Sequence, residues 1–233
     1  NAAELAYLAQ QVNRGGYALE VENGNKIDTE ADSYKQGFSG YYFALSADID
    51  LNGYEWTPIG NDTHPFKGHF NGDGHVVRGL KMNVEIETKT TTYAGLFGYI
   101  KNGTLRNLGV WLASEGIEVS STDTGIIFAG GLAGAVTGTA SNTPAGIQNC
   151  YVEGEGNIAV RSTDNTIRIH VGGIVGAAMT GTCIITHCYT TVDVETELVG
   201  GSTILVGGIA GYALDISYSY ATGNLKVKDI KKA

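Results

Sequence analysis

Gly130-Gly131-Leu132-Ala133-Gly134 and Gly172-Gly173-Ile174-Val175-Gly176 are two of four copies of one unit. The others read Ala94-Gly95-Leu96-Phe97-Gly98 and Gly207-Gly208-Ile209-Ala210-Gly211, and successive copies are 36, 42 and 35 residues apart. A recurrence of that length marks a solenoid, whose coils cannot bury an apolar face singly. Upstream of the unit, Thr91, Ile127, Ile169 and Ile204 form one column, and Tyr93, Ala129, Val171 and Val206 the next, two residues on. Period two means strands with alternate side chains inward, which sends intervening residues such as Arg168 and His170 to solvent. Leu96, Leu132, Ile174 and Ile209 come three residues later, so the phase slips by one. The expectation is a bulge or sharp bend at the glycine pair, where glycine tolerates unusual backbone angles.

Two further segments recur. Leu105–Val110, Ile147–Val152, Ile185–Thr190 and Ile216–Ala221 align as a second strand. A third shows two apolar columns: Ile117, Ile158, Val192 and Leu225, then Val119, Val160, Val194 and Val227. Three short strands per repeat, separated by Gly, Asn and Thr, describe a three-sided coil. Coils stacked about 4.8 Å apart pair each strand in parallel with its equivalents above and below, which is a parallel β-helix.

The units resemble the GLUG motif, named for its Gly-Leu-x-Gly core. Asp48–Gly60 and Phe66–His75 are similar to the stretch that precedes such repeats, so the resemblance spans roughly residues 1–228. It implies an all-β chain: a right-handed parallel β-helix with three strands per coil and a short N-terminal α-helical cap. The hand follows from the resemblance and from the preference of parallel crossovers. GLUG repeats occur in bacterial surface and adhesin-like proteins and in some IgA-specific metallopeptidases. The peptidase reading needs a His-Glu-x-x-His zinc motif, and no His here precedes Glu.

The continuous repeat argues for one elongated domain over 1–233: a helical cap at 1–16, a lead-in with a loop insertion at 17–65, stacked coils at 66–228 and a tail at 229–233. Glycine is 34 of 233 residues and charged residues are 17%, which suits a turn-rich solenoid. Proline is only 3 residues, so the glycine does not signal disorder. The net charge of −9 disfavours nucleic acid as a partner. No run of 18 apolar residues supports membrane insertion of this chain. Asn1 opens on a helix without Met, the Lys-rich end shows no cap, and the expectation is a removed signal segment and further domains of the same polypeptide. The expected location is extracellular or the bacterial cell surface.

Asn1 and Glu4 fit a capping box, and Leu5, Leu8, Ala9 and Val12 share a helical face that ends at Gly15-Gly16. Residues 17–40 read as a polar insertion. Asp48-x-Asp50-x-Asn52-Gly53 begins like a calcium loop, but Ile59 stands where a bidentate Glu is required, and the turn reading is Asx-type hydrogen bonding. Phe66–Met82 reads as the first full coil, with Val77, Leu80 and Met82 matched to Leu105, Leu108 and Val110. His64, His69 and His75 lie in Gly-rich turns at spacings wider than structural zinc pairs use, so neither metal nor cofactor is expected. Inserts fall at Thr137–Ala145, Ser162–Thr166 and Glu195–Thr203. Cys150 and Cys188 share a column with Leu108 and Ser219. Stacking would permit a disulfide by distance, and reduced stacked thiols are the expectation.

No catalytic residue is assigned. Glu118, Ala159, Asp193 and Lys226 share an outward column, and the acids stand two coils apart, which offers no carboxylate pair facing one bond. The binding candidates are Tyr151, Tyr189 and Tyr220, a column flanked by inward positions. Stacked outward aromatics can seat a host or bacterial glycan, or an extracellular protein, or they can simply cover one another. The function expected is a non-catalytic adhesion or interaction module. The alternatives are a passive stalk or a polysaccharide-degrading β-helix enzyme.

Overall fold

The computed structural model describes residues 1–15, 37–139, 145–179, 183–199 and 203–230. Its strands form parallel sheets, and stacked coils make a parallel β-helix. Coil two shows the pattern. Gly125–Ala129 lies in the first sheet, Ala133–Thr137 in the second, Gly146–Gln148 in the third, and Tyr151–Gly154 and Ile158–Ser162 in the fourth. Coil three repeats it with Arg168–Gly172, Val175–Met179, Ile184–Thr186, Tyr189–Thr190 and Val194–Val199. Coil four adds Thr203–Gly207, Ala210–Ala213, Asp215–Ser217, Tyr220–Ala221 and Leu225–Ile230. Coil one has Thr90–Ala94, Phe97–Lys101, Thr104–Arg106 and a single long Gly109–Ser121. Coils two to four therefore carry five strand segments, and coil one four, where the repeat pattern suggested three. The glycine unit folds one apparent strand across two sheets. Asn107, Asn149, His187 and Tyr218, all with φ between +48° and +52°, bend another.

The glycine pairs are not where they are for their backbone angles. Gly130, Gly131, Gly172, Gly173, Gly207 and Gly208 all lie outside the left-handed region. They are there for space. A Cβ on Gly173 would lie 2.6 Å from the Thr190 side chain across the core, and one on Gly131 would lie 2.5 Å from that of Val152. The last glycine of the unit in coils two to four is hemmed in by backbone alone. A Cβ on Gly176 would sit 2.6 Å from Ala129 N, 2.6 Å from Gly134 O and 2.7 Å from His170 O. Gly134 and Gly211 meet equivalent backbone atoms of the first-sheet strands at 2.5–3.0 Å. First and second sheets thus touch backbone to backbone.

Register corrects several columns. Coil one has one residue fewer at its bend, where Gly95 alone, at φ +147°, does the work of a pair. Ala94 consequently pairs with Ala129 and Thr92 with Ile127, so Tyr93 and Thr91 point outward. In the third segment Ile158 pairs with Val194, and Val160 with Thr196, in place of Val192 and Val194. A slip of two residues keeps every side chain on its face, so alternation could not detect it. Glu195 to Val199 is therefore strand and not insert, and Glu195 replaces Asp193 beside Ala159. Phe70 pairs with Leu105, Val77 with Val110, Leu80 with Leu112 and Met82 with Ile117. Parallel pairing also starts before Phe66, with Tyr42–Ala44 on His69–Asn71 and Ile49–Asp50 on Val77–Arg78. At the far end, Asp229 and Ile230 belong to the last strand and not to a tail. The proposed lead-in insertion and the centre of the Thr137–Ala145 insert lie largely outside the described residues.

Helix α1 (Ala2–Asn13) has the expected capping box, and Leu5, Ala9 and Val12 join the main core. Its end is fixed by Asn13, whose amide donates to Pro58 O at 2.9 Å and whose Oδ1 accepts from Gly60 N at 2.8 Å. The main core runs inside the coils and includes Leu96, Leu132, Ile174, Leu105, Ile147 and Ile185. Cys150, Cys183 and Cys188 are buried and unbonded. Burial pushes the Cys188 thiol up to about 11 and Cys183 to about 12, which holds both as inert thiols at neutral pH. All three should resist a thiol reagent in the folded protein and react on unfolding; reaction of only one thiol after unfolding would reveal a disulfide. Gly176→Ala should destabilise the protein by about 1–3 kcal/mol, the usual cost of overpacking, read as a fall in the urea midpoint. Thr203→Ala, at an exposed edge position, should leave the midpoint unchanged.

Candidate functional site

Tyr151, Tyr189 and Tyr220 begin the fourth-sheet strands of three successive coils and pair directly, Tyr151 with Tyr189 and Tyr189 with Tyr220. Cys150, Cys188 and Ser219 precede them on the inward side, so the tyrosines face out. Their ring centroids are 5.1 and 5.2 Å apart, and each interplanar angle is 7°. Rings that close and that parallel overlap face to face with an offset; edge-to-edge neighbours would be farther apart. Tyr151 leans over Gly109 in coil one, where a Cβ would collide with its ring and approach its hydroxyl to 2.5 Å. The three rings are therefore laid like shingles. Gly109 makes room for the first, and each covers part of the next.

Polar groups flank the ladder. The Tyr189 hydroxyl donates to Glu153 Oε1 at 3.1 Å. Burial, then this bond to a carboxylate, pushes Tyr189 up to about 12, since the phenolate would lose its acceptor and face a like charge. Glu153 pairs in register with Trp111, and Trp111 with Arg78. Arg78 reaches Asp48 at 3.2 Å, and Asp48 also accepts from Val76 N and meets His75 Nδ1, both at 3.1 Å. The Val76 bond is the chief reason that the Asp48 carboxyl is held below its usual range. Trp111 is 36% exposed and was missed in the sequence reading, although its alternation with Val110 and Leu112 was visible. At the adjoining bend, His187 and Tyr218 stack at 4.9 Å. Tyr218 is 81% exposed with φ +48°, a strained angle for a bulky side chain. No sequence signal marked that pair.

A second aromatic series lies outside the coil, in the concave corner between the first and second sheets. Tyr93 stacks on Tyr99 at 5.2 Å and on Phe128 at 5.3 Å, and Phe128 stacks on His170 at 4.9 Å. Phe128 is only 5% exposed and His170 is half-buried, so these outward positions do not go to solvent as alternation implied. Ala135 and Ala177 on the second sheet leave the room that the rings occupy. Burial, then the Arg168 charge, keeps His170 below the ordinary imidazole range.

Other singled-out residues are dispersed. His64 Nδ1 contacts Asn13 O at 3.0 Å, His69 Nδ1 contacts Thr104 Oγ1 at 2.9 Å, and His75 joins Asp48. Among the described residues no His, Cys, Asp and Glu converge as a metal site. Asp50 Oδ1 accepts from Asn52 N at 2.8 Å, the Asx turn expected there. On the outer fourth sheet, Arg161 joins Glu118 and also approaches Glu197, Lys228 meets Glu197 at 3.2 Å, and Lys226 bridges Glu195 at 2.6 Å and Asp193 at 3.3 Å.

Glu153→Gln should lower the Tyr189 pKa from about 12 towards 10 without reaching it, because burial persists; NMR titration of the Tyr189 ring would show this. The sign for stability follows. From 10 to 12 the folded state keeps a proton that the unfolded chain has lost, so stability falls as pH rises through that window. Glu153→Gln should narrow it.

The family model described as the GLUG motif matches residues 168–195. A protein of Evansella cellulosilytica, provisionally named a Gly-rich membrane protein, is 38% identical over 121 residues. The match covers 49% of this chain, which spans only 12% of that protein's length. A crystal structure from Bacteroides ovatus, of a protein provisionally named an immunoglobulin A1 protease, aligns over 82% of this chain and 77% of its own. Its identity is 18% and its TM-score 0.40, too slight a likeness to argue from. The matched stretch begins at the strand before the third glycine unit and ends in the fourth sheet, so the third coil carries a GLUG motif.

Proposed function

We propose that this chain is a non-catalytic interaction module on the outside of a bacterial cell. It binds a glycan or an extracellular protein on the outer fourth sheet around Tyr151, Tyr189 and Tyr220. The observation that supports this reading is the shingled ladder of stacked rings, with Trp111, Glu153 and Arg78 alongside. Rigid aromatic rings bordered by hydrogen-bonding groups suit a sugar ring or a partner side chain, because they lose little entropy on binding. The relative's name as a membrane protein fits a surface location. No helix among the described residues is long and apolar enough to cross a membrane.

Two other readings are weaker. A polysaccharide-cleaving enzyme needs a carboxylic acid with a raised pKa facing a second carboxylate. Among the described residues the shifted carboxyls move down: Asp48, Glu115 (to about 2, chiefly through its bond from Lys81) and Asp193. The acids of the outer fourth sheet are instead held by Arg161, Lys226 and Lys228. A passive stalk would need only the stacked coils, and further parts of the same polypeptide would then carry the function.

A panel of glycans and extracellular proteins tests the reading. Saturable binding should weaken at least tenfold, about 1.4 kcal/mol, in Tyr220→Ala. It should vanish when Tyr151, Tyr189 and Tyr220 are all changed to Ala with the circular dichroism of the fold retained. Undiminished binding by the triple variant would remove the site from the ladder, and an empty panel would favour the stalk.

A further inference from the structure

The corner between the first and second sheets has a polar end that the tyrosine ladder does not explain. Lys89, Thr90 and Thr91 of coil one, Thr124 of coil two, and Thr166 and Arg168 of coil three surround a depression of about 550 Å³. Register places Thr91, Ile126 and Arg168 side by side in one outward column. Ile126 is an apolar shelf between them, and it packs with the Tyr93 and Phe128 cluster. No carboxylate lines the depression. Asp123 and Asp164, just before it in sequence, serve their own turns. Asp123 accepts from Thr124 N at 2.6 Å, and Asp164 accepts from the Thr166 N–H and hydroxyl at 2.7 Å.

The two cations contrast with those of the fourth sheet. Arg78, Lys81, Arg161, Lys226 and Lys228 each sit on a carboxylate. Lys89 and Arg168 form no ion pair among the described residues. Arg168 and Thr91 are two coil spacings apart, about 10 Å, Lys89 lies in the bend two residues before Thr91, and both cations border one hollow with threonine hydroxyls between. A guanidinium offers a planar fork that matches a carboxylate, and the ammonium adds a second charge. Hydroxyls suit sugar hydroxyls, and the Ile126 shelf suits the C–H face of a pyranose ring. The chain's charge of −9 gives anions no general attraction, so any acidic ligand must be drawn by such a local arrangement.

We propose that this depression binds a carboxylate-bearing sugar of an acidic glycan, with Arg168 and Lys89 holding the carboxylate and the threonines holding the ring hydroxyls. The inference rests on the extracellular-module reading for the source of such a glycan, and it uses no residue of the tyrosine ladder.

Calorimetric titration with a hyaluronan hexasaccharide, whose glucuronates carry the carboxylates, tests it, with the carboxyl-reduced hexasaccharide as control. The acidic form should bind and the reduced form should not. Arg168→Gln should weaken binding about tenfold, Lys89→Gln less, and Tyr220→Ala should have no effect. Added salt should also weaken binding, because the contact is ionic. A carboxyl-reduced chondroitin sulfate hexasaccharide, whose only anions are sulfates, bound as tightly by wild type and lost equally in Arg168→Gln, would overturn the carboxylate assignment in favour of sulfate. Absence of binding by wild type, equal binding of the reduced form, or unchanged binding in the double Arg168→Gln, Lys89→Gln variant would overturn the proposal. A ligand lost in Tyr220→Ala alone would leave the ladder reading standing while this one falls, and the reverse pattern would do the opposite.

Discussion

The last glycine of each unit is where the backbone of one sheet touches the backbone of the next, and the rest of the coil depends on that contact. Gly176 approaches atoms of Ala129, Gly134 and His170 so closely that no side chain fits. The turn between the sheets is correspondingly sharp, and the second glycine of each pair faces Val152, Thr190 or Ala221 across a thin core. The motif is thus a steric requirement repeated once per coil. A residue that lacks a side chain loses no packing there, while any other residue would push two sheets apart.

The sharp turn has a consequence on the outside. Two sheets meeting at a close angle leave a concave corner, and outward residues in it are no longer solvated. Phe128 and His170 fill that corner over Ala135 and Ala177, so the molecule has a small second apolar cluster outside its main core. Parallel stacking in register does the rest. Each outward position becomes a column, and some columns become stacks of rings and others alternations of charges. Arg161, Glu197 and Lys228 show the second kind. Exposed ion pairs contribute little singly, and their value here lies in fixing neighbouring strands in register.

Both proposed binding surfaces arise from interruptions of those columns. Gly109 lets Tyr151 lie down and start a shingled ladder. Lys89 and Arg168, with Thr124 on the coil between them, leave a hollow that no acid occupies. A uniform solenoid would present ridges alone. Departures from the repeat supply the surface relief that both proposed sites use.

The glycine units, their spacing and the period-two columns determined that the chain stacks coils in parallel. Asn1 and Glu4 determined the helix that closes one end. The order Tyr151, Tyr189, Tyr220 was likewise legible, because Cys150, Cys188 and Ser219 before each fixed the facing. Tertiary structure alone decided the one-residue deletion at Gly95, the two-residue slip at Val194 and the split of three apparent strands into five. It also decided that Phe128 and His170 are covered, that Trp111 and Tyr218 border the ladder, and that Lys89 and Arg168 share a hollow. The reason is physical. Alternation reports which face a side chain takes, whereas register, the angle between sheets and the reach between coils are set by contacts among residues some 35–42 positions apart.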